Sequence, residues 1–299
     1  MHVFLTGATG FIGSAVAASL LRAGHRVTGL ARSDQAAAML SAQGVTPHRG
    51  ALDDLDGLAR GAAAADAVVN TASIMSFGPE RGEVEMAAVR AMLAALQGTG
   101  KTFVYTSDQL IYGPTGLAPA TEDTPLNPLP FVAWRPAVER LVMDAPGVKS
   151  VVLRPVAVYG HGRDHLMPML IGMAKQAGIA RYVNDGSARW SMVHVDDVGE
   201  GYRLALEKAP GGAVYNFAAE PPVSFKELAE VASRVAGLGG RTEGLPIEQA
   251  AQIMGPLAYN FTFDLVVSAA KARRELGWLP TGPTLRAEAD AGAFAHLAG

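Results

Sequence analysis

The chain has 299 residues, of which 49% are hydrophobic and 18% charged, and its formal net charge is −3. This composition is typical of a globular protein with a substantial core and excludes an intrinsically disordered chain. The weak negative charge also argues against nucleic acid or an anionic membrane as a partner. The sequence has no cysteine, which excludes disulfides, thiolate metal sites and cysteine nucleophiles and suits a cytoplasmic protein.

Short apolar runs alternate with helical patterns through the first part of the chain, which predicts βαβ units and a parallel sheet. The uncharged run from Val3 to Leu21 has no basic leader and contains three glycines, so we interpret it as part of this fold and not as a signal peptide or a membrane span. The predicted strands are His2–Thr6, Arg26–Arg32, Val45–Arg49, Ala67–Thr71, Thr102–Thr106 and Ser150–Val156. The predicted crossover helices are Ile12–Ala23, Glu83–Leu96 and Val132–Met143.

These elements predict an α/β protein with a doubly wound parallel sheet of the Rossmann type, whose dinucleotide-binding domain covers residues 1–160. Residues 161–299 are predicted to form mainly a smaller, substrate-binding cap on the carboxyl edge of the sheet. Two segments within it, Trp190–Val195 and Ala213–Phe217, are predicted to return to the Rossmann sheet. Helices are predicted in this second part at Leu166–Gln176, Asp197–Lys208, Phe225–Val235 and Ile247–Met254.

A glycine-rich turn follows the first predicted strand and opens the first helix, with glycine at positions 7, 10 and 13. Residues without a Cβ let backbone amides approach a pyrophosphate, which then lies at the positive end of the helix. Arg32 ends the second strand, where an acidic residue would bind the ribose 2′-hydroxyl of NAD. A guanidinium at this position, helped by the Ser33 hydroxyl group, favours binding of the 2′-phosphate of NADP. Two alternatives are that Arg32 is only solvated at the strand end, or that Asp34 contacts the ribose.

Three further motifs, Leu153–Gly160, Val193–Val198 and Glu275–Pro280, complete a pattern that resembles the extended short-chain dehydrogenase/reductases, also called the NAD-dependent epimerase/dehydratase family. The resemblance covers nearly the full length. It implies that the cofactor, NADP (NADPH), contacts Gly7, Thr9, Gly10, Phe11, Ile12, Gly13, Arg32, Ser33, Thr71, Ala72, Ser73, Thr106, Arg135, Pro155, Val156 and Val158.

The residues that usually carry the chemistry of that family are missing. The family uses a Ser or Thr, a Tyr, and a Lys four residues after the Tyr, and these places fall on Asp108, Phe131 and Arg135. Arg135 can still bind the nicotinamide ribose, but a guanidinium cannot donate its proton. The resemblance therefore assigns catalytic positions to Ser107, Asp108, Phe131, Arg135 and Tyr159, and it leaves as proton donors Ser107, Tyr112, Tyr159, His161, a water molecule or the substrate.

In lacking this triad, the chain resembles the ketoreductases of aromatic polyketide biosynthesis, including the angucyclinone reductases. That resemblance implies NADPH-dependent reduction of a hydrophobic aromatic ketone, with protonation by the substrate itself as one route. The residues expected to border the ketone are Met75, Phe77, Asp108, Trp134, Met173 and Trp190.

Two other functions stay open. A sugar-nucleotide epimerase or dehydratase would need basic residues for a diphosphate, and the sequence offers Arg163, Lys175, Arg181 and Arg189. A non-catalytic NADP-binding regulator would explain the absent triad without further assumptions.

The expected binding partner is a small aromatic ketone substrate. The sequence is compatible with a homodimer, and neither nucleic acid nor a membrane is expected as a partner. No metal site is expected. His161 and His165 have the spacing of two ligands on a helix, but Gly160 and Gly162 break any helix between them.

Overall fold

The computed structural model describes residues 1–74, 80–116, 118–164 and 166–297. The strands are β1 (His2–Thr6), β2 (Arg26–Ala31), β3 (Thr46–Arg49), β4 (Ala67–Asn70), β5 (Thr102–Thr106), β6 (Lys149–Pro155), β7 (Ala157–Tyr159), β8 (Ala180–Val183), β9 (Arg189–His194), β10 (Ala213–Phe217), β11 (Ala219–Ser224) and β12 (Thr242–Leu245). The α-helices are α1 (Phe11–Arg22), α2 (Asp34–Ala42), α3 (Leu55–Ala64), α4 (Glu80–Leu96), α5 (Arg135–Met143), α6 (Leu166–Ala177), α7 (Val195–Lys208), α8 (Phe225–Val235), α9 (Ile247–Met254), α10 (Ala270–Leu276) and α11 (Leu285–Asp290).

The central sheet has seven parallel strands in the order β10-β6-β5-β4-β1-β2-β3. This confirms the predicted α/β fold of the Rossmann type. The chain moves outward in opposite directions from β1 and β4, so the loops that follow these two strands diverge and leave a crevice at the carboxyl edge. The glycine turn after β1 lies at that crevice.

Alternating side chains of the sheet reach two separate cores. Val3 and Leu5 of β1 face the core that contains α1 and α7, whereas Phe4 faces the core beneath α3, α4 and α5. Strand β5 follows the same rule, because Val104 belongs to the first core and Tyr105 to the second. The direction of Tyr105 matters for the site, since it carries a hydroxyl group toward α4 and α5.

Two expectations for the second half of the chain are wrong. Segment 190–195 does not return to the Rossmann sheet, because β9 pairs with β7 and β11 in a separate three-stranded sheet. Helix α7 is not a cap helix, because it packs against α1 on the face of the central sheet. In both cases the residue pattern shows that one face is apolar but not which neighbour covers it. Strand β10 does pair with β6 in the central sheet.

The rest of the second half forms a smaller layer. Helices α6 and α8 pack on the two-stranded sheet of β8 and β12. Within the ranges given above, no helix is long and apolar enough to cross a membrane.

Candidate active site

The glycine turn is packed so closely that side chains are excluded from it. A Cβ on Gly13 would lie 2.0 Å from the carbonyl oxygen of Gly7, and one on Gly7, whose φ is +73°, would lie 2.7 Å from Oγ1 of Thr71. The Gly10 amide donates to the Gly7 carbonyl at 2.8 Å. Helix α1 then begins with no side-chain cap and no acidic residue in its first turn. This helix end is therefore suited to an anion such as a pyrophosphate.

Strand β4 supplies the other wall of the crevice, and hydrogen bonds join it to β1. The Thr6 hydroxyl donates to Oδ1 of Asn70 at 2.5 Å, and the Thr71 hydroxyl donates to the Thr6 carbonyl at 2.8 Å. The Ala72 amide donates to Oγ1 of Thr6 at 3.3 Å. Predicted residues 71 and 72 therefore lie beside the glycine turn, which also contains the half-buried side chains of Thr9, Phe11 and Ile12.

The far end of the crevice carries the residues predicted to choose the cofactor. Arg32 is exposed directly after β2, and it takes part in no ion pair among the described residues. Ser33 caps α2 by accepting the Ala36 amide at 3.1 Å. Asp34 pairs with Arg49, at the end of the neighbouring strand β3, with an N–O distance of 3.1 Å. The Asp34 carboxylate, the alternative contact for a ribose, is thus already paired with an arginine.

The loop after β5 carries a buried hydroxyl group. Ser107 is 3% exposed, and its Oγ has no hydrogen-bond partner among the described residues, while its amide donates to the Leu153 carbonyl at 2.7 Å. Arg135, at the start of α5, is 5% exposed and donates from Nη1 to the Thr106 carbonyl at 3.0 Å. The Nε of Arg135 likewise has no partner in the part of the chain that the structure describes. Buried polar groups are almost always satisfied, so each of these two atoms is a candidate contact for a ligand.

A buried network that the sequence analysis missed fixes Arg135. Glu85 of α4 is 3% exposed and lies 3.5 Å from Nη1 of Arg135. The Tyr105 hydroxyl donates to Oε1 of Glu85 at 2.6 Å, and the Ser73 hydroxyl donates to Oε2 at 2.9 Å. Arg81 in turn donates from Nε to the Ser73 hydroxyl at 3.1 Å. The predicted cofactor residue Ser73 thereby joins the loop after β4 to the Arg135 site.

Electrostatics keep Arg135 charged and disfavour the charged form of Asp108. Burial alone lowers the pKa of Arg135, but Tyr105, Glu85 and Asp108 outweigh burial and raise it. Burial also raises the pKa of Asp108, although Arg135, the Leu110 amide and Arg81 act in the opposite direction. Asp108 accepts that amide at 2.8 Å through Oδ1. Asp108 is thus shifted toward the raised pKa that a donating carboxyl group would need.

Phe131 and Trp134 both lie just before α5, which begins at Arg135. Phe131 is half-buried against the core that contains α1. Its phenyl ring has no hydroxyl group that could replace that of the family tyrosine. The Trp134 ring stacks on the Arg135 guanidinium at 4.7 Å and lies 5.9 Å from that of Arg81. It packs over Gly82, where a Cβ would be 2.7 Å from Cγ of the indole. Because residue 82 is a glycine, the Trp134 indole fits at a position that usually holds a small residue.

The other candidate proton donors already have partners. Tyr112 donates to Oδ1 of Asn216 at 2.8 Å and accepts from Arg154 at 2.8 Å. Tyr159 donates to the Pro283 carbonyl at 2.8 Å, and burial raises its pKa to about 12. His161 lies beside Asp196, with Nε2 3.1 Å from both carboxylate oxygens. Of these candidate side chains, Ser107 is the one whose hydroxyl group has no partner among the residues with described positions.

The expected substrate residues are only partly brought together. Met173 is half-buried on α6, whereas Trp190 packs inside the second half of the chain, 5.4 Å from Phe225 and 6.2 Å from Phe261 between ring centroids. Met75 and Phe77 lie outside the described residues. Three more residues predicted to contact the cofactor lie at the carboxyl end of β6 or shortly after it, namely Pro155, Val156 and Val158.

Fold and site together define a dinucleotide-binding α/β protein, and comparison with known proteins agrees. Residues 3–218 match the NAD dependent epimerase/dehydratase family. An uncharacterized protein of Schizosaccharomyces pombe is 34% identical over 303 residues, which cover 98% of this chain and 100% of that protein. The 4-hydroxy-2-methyl-3-oxo-4-farnesyl-3,4-dihydroquinoline-1-oxide ketoreductase of Stigmatella aurantiaca is 27% identical over 93% of this chain and 92% of its own length.

A solved structure gives the same result for the fold. The dTDP-glucose 4,6-dehydratase of Streptomyces venezuelae, solved with NAD bound, superposes with a TM-score of 0.81 at 22% identity, covering 99% of this chain and 97% of its own. The chain belongs to the NAD-dependent epimerase/dehydratase family of extended short-chain dehydrogenase/reductases. The family depends on a nicotinamide dinucleotide and includes oxidoreductases among the relatives of this chain.

Proposed function

We propose that this protein is an NADPH-dependent ketoreductase that reduces a hydrophobic aromatic ketone of the polyketide type without the usual Tyr/Lys pair. The observation that carries the proposal is the buried Ser107 hydroxyl group, which has no hydrogen-bond partner within the described ranges and belongs to the residue after Thr106, whose carbonyl holds Arg135. A ketone oxygen placed there would accept a hydrogen bond from the Ser107 hydroxyl group, which would stabilise the negative charge that develops on that oxygen during reduction.

Loss of the family tyrosine does not prevent this reaction. A general acid contributes about 10²–10⁴-fold, whereas oriented reactants reach effective molarities of about 10⁵–10⁸ M. The cofactor supplies hydride when it is bound. The protein then has to position the ketone and stabilise the negative charge on its oxygen. Arg135 remains charged and is held by Glu85 and Tyr105, so it is a fixed cation for the nicotinamide ribose.

The ketone itself supplies the second hydrogen bond in this proposal. A hydroxyl group beside the carbonyl polarises it internally and stabilises the alkoxide as it forms. The name of the Stigmatella relative places a hydroxyl on the carbon next to its oxo carbon, within a fused bicyclic ring. That relative supports a bulky cyclic ketone with a neighbouring hydroxyl group as the substrate class.

Sugar-nucleotide chemistry is less well supported by the side chains. Two of the four basic residues expected to hold a diphosphate are already paired, because Arg181 lies 2.7 Å from Glu243 and Arg189 lies 2.7 Å from Asp264. Phe131 also has no hydroxyl group to remove a sugar proton. A non-catalytic regulator would bind NADPH but consume none with aryl ketones, quinones or nucleotide sugars.

Methylation of the neighbouring hydroxyl group tests the proposal. Hydroxyaryl ketones should be reduced with NADPH, and the same ketones with that hydroxyl methylated should react at least about tenfold more slowly, since losing a donor at a developing oxyanion typically costs about 10²–10³-fold. Single-turnover NADPH oxidation is the measurement, with binding of each ketone checked by fluorescence titration. Equal rates for two ketones that bind equally well would refute protonation by the substrate.

Arg32→Ala tests the cofactor preference. NADPH affinity should fall about ten- to a hundredfold, because a charge-assisted hydrogen bond to the 2′-phosphate is lost, while NADH affinity should stay nearly constant. Titration of both cofactors measures the change. The matched control is Arg26→Ala, at the exposed opposite end of the same strand, which should alter neither affinity. An equal loss for both cofactors in Arg32→Ala would show that Arg32 is not the selector.

A further inference from the structure

Two histidines and one aspartate from separate elements converge beside Tyr159, whose ring centroid lies 5.6 Å from that of His194. His161 follows β7, His194 ends β9, and Asp196 lies in the first turn of α7. Nε2 of His161 is 3.1 Å from both carboxylate oxygens of Asp196, and Nδ1 of His194 is 3.8 Å from Oδ2 of Asp196. One nitrogen or oxygen from each of the three side chains lies within 4.8 Å of the others.

These distances are close to those that a zinc ion requires. Tetrahedral Zn²⁺ binds histidine nitrogen and carboxylate oxygen at about 2.0–2.2 Å, so neighbouring ligand atoms are about 3.3–3.6 Å apart. The observed separations of 3.1 and 3.8 Å lie on either side of that range. The side chains of His161 and Asp196 are 56% and 55% exposed. An ion therefore reaches the cluster directly from solvent.

A carboxylate behind the buried histidine is the second observation that points to a metal. His194 is 2% exposed, and its Nε2 lies 3.2 Å from Oε1 of Glu288 in α11. When Nε2–H donates to this carboxylate, Nδ1 presents its lone pair toward Asp196. Carboxylate partners of this kind orient histidine ligands in metal sites and raise their basicity. The only contact that competes for Nδ1 among the described residues is the Asp196 amide, at a long 3.3 Å.

Glu288 also holds the exposed histidine in place. The His161 backbone has a φ of +52°, a left-handed conformation that is uncommon for a residue with a side chain. Its amide donates to Oε2 of Glu288 at 2.9 Å. One carboxylate group therefore orients His194 through Oε1 and His161 through Oε2, so both imidazoles face Asp196.

We propose that His161, His194 and Asp196 form a binding site for Zn²⁺ or a similar divalent transition metal, with water as the fourth ligand and Glu288 orienting both histidines. Binding joins the ends of β7 and β9 to the start of α7 and, through Glu288, to α11. The site is structural in this proposal, and it does not depend on the proposed ketoreductase activity.

Isothermal titration of the full-length, chelator-treated protein with ZnCl₂ tests the site. The wild type should bind Zn²⁺ at one site, and its melting temperature should rise with Zn²⁺ concentration because the ion binds the folded state. His161→Ala and Asp196→Asn each remove an exposed ligand, so both should fold normally by circular dichroism and lose at least about tenfold in affinity. Glu288→Gln should weaken binding about 10–100-fold, as expected for a residue that orients a ligand.

The matched control is His25→Ala. His25 pairs with Glu207 at 2.9 Å, a histidine–carboxylate pair outside the cluster, so this variant should bind Zn²⁺ like the wild type. No binding to the wild type would overturn the proposal. Equal affinity in wild type, His161→Ala and Asp196→Asn would also overturn it, as would a loss in His25→Ala as large as that in His161→Ala.

Discussion

Ser107→Ala is expected to lower kcat for ketone reduction about 10²–10³-fold, the usual cost of removing one hydrogen-bond donor from a developing oxyanion. The Ser107 hydroxyl is buried and has no partner among the residues that the structure describes, so its removal breaks none of the hydrogen bonds seen there and should hardly alter stability. NADPH affinity should also be unchanged. The loss should appear in single-turnover NADPH oxidation at saturating ketone.

Tyr159→Phe provides the comparison for Ser107→Ala. Sequence reasoning gives Tyr159 a catalytic position, but its hydroxyl donates to the Pro283 carbonyl. The rate for Tyr159→Phe should therefore remain near that of the wild type. If Ser107→Ala is as fast as the wild type while Tyr159→Phe is slow, the assignment of Ser107 to the ketone oxygen is wrong.

Glu85→Gln is expected to lower the free energy of unfolding by about 3–5 kcal/mol, because it leaves the buried Arg135 without the carboxylate 3.5 Å away. The same change replaces one of the two carboxylate oxygens that accept from the Tyr105 and Ser73 hydroxyl groups with an NH₂ donor. Arg135 should then lose its fixed position, so NADPH affinity should fall as well. Urea unfolding measures the first effect and cofactor titration the second.

Glu83→Gln is the matched control for this change, because Glu83 is exposed on the same helix, α4. Surface substitutions of this kind usually change stability by less than about 0.5 kcal/mol. A similarly small effect of Glu85→Gln would show that the Glu85 carboxylate does not compensate the charge of Arg135.

The sequence by itself was sufficient to predict the strands of the central sheet and the glycine turn after β1. Strands His2–Thr6 and Thr102–Thr106 and helices Phe225–Val235 and Ile247–Met254 have the predicted bounds. Such elements follow from a local pattern of apolar residues, which repeats every two residues in a strand and every three or four in a helix. The glycine turn is also local, since its tight packing depends on residues within one short segment and on the strand beside it.

Only the tertiary structure decided which elements and side chains meet. The apolar pattern of Arg189–His194 predicts a strand but not its partner, so its place in the second sheet was missed. Glu85 and Arg135 are 50 positions apart in the sequence and both look like ordinary charged helix residues. Sequence spacing likewise pairs His161 with His165, whereas the fold places His161 beside His194 and Asp196. A periodic pattern determines which face of an element is buried, but the partner across that face depends on how distant segments pack.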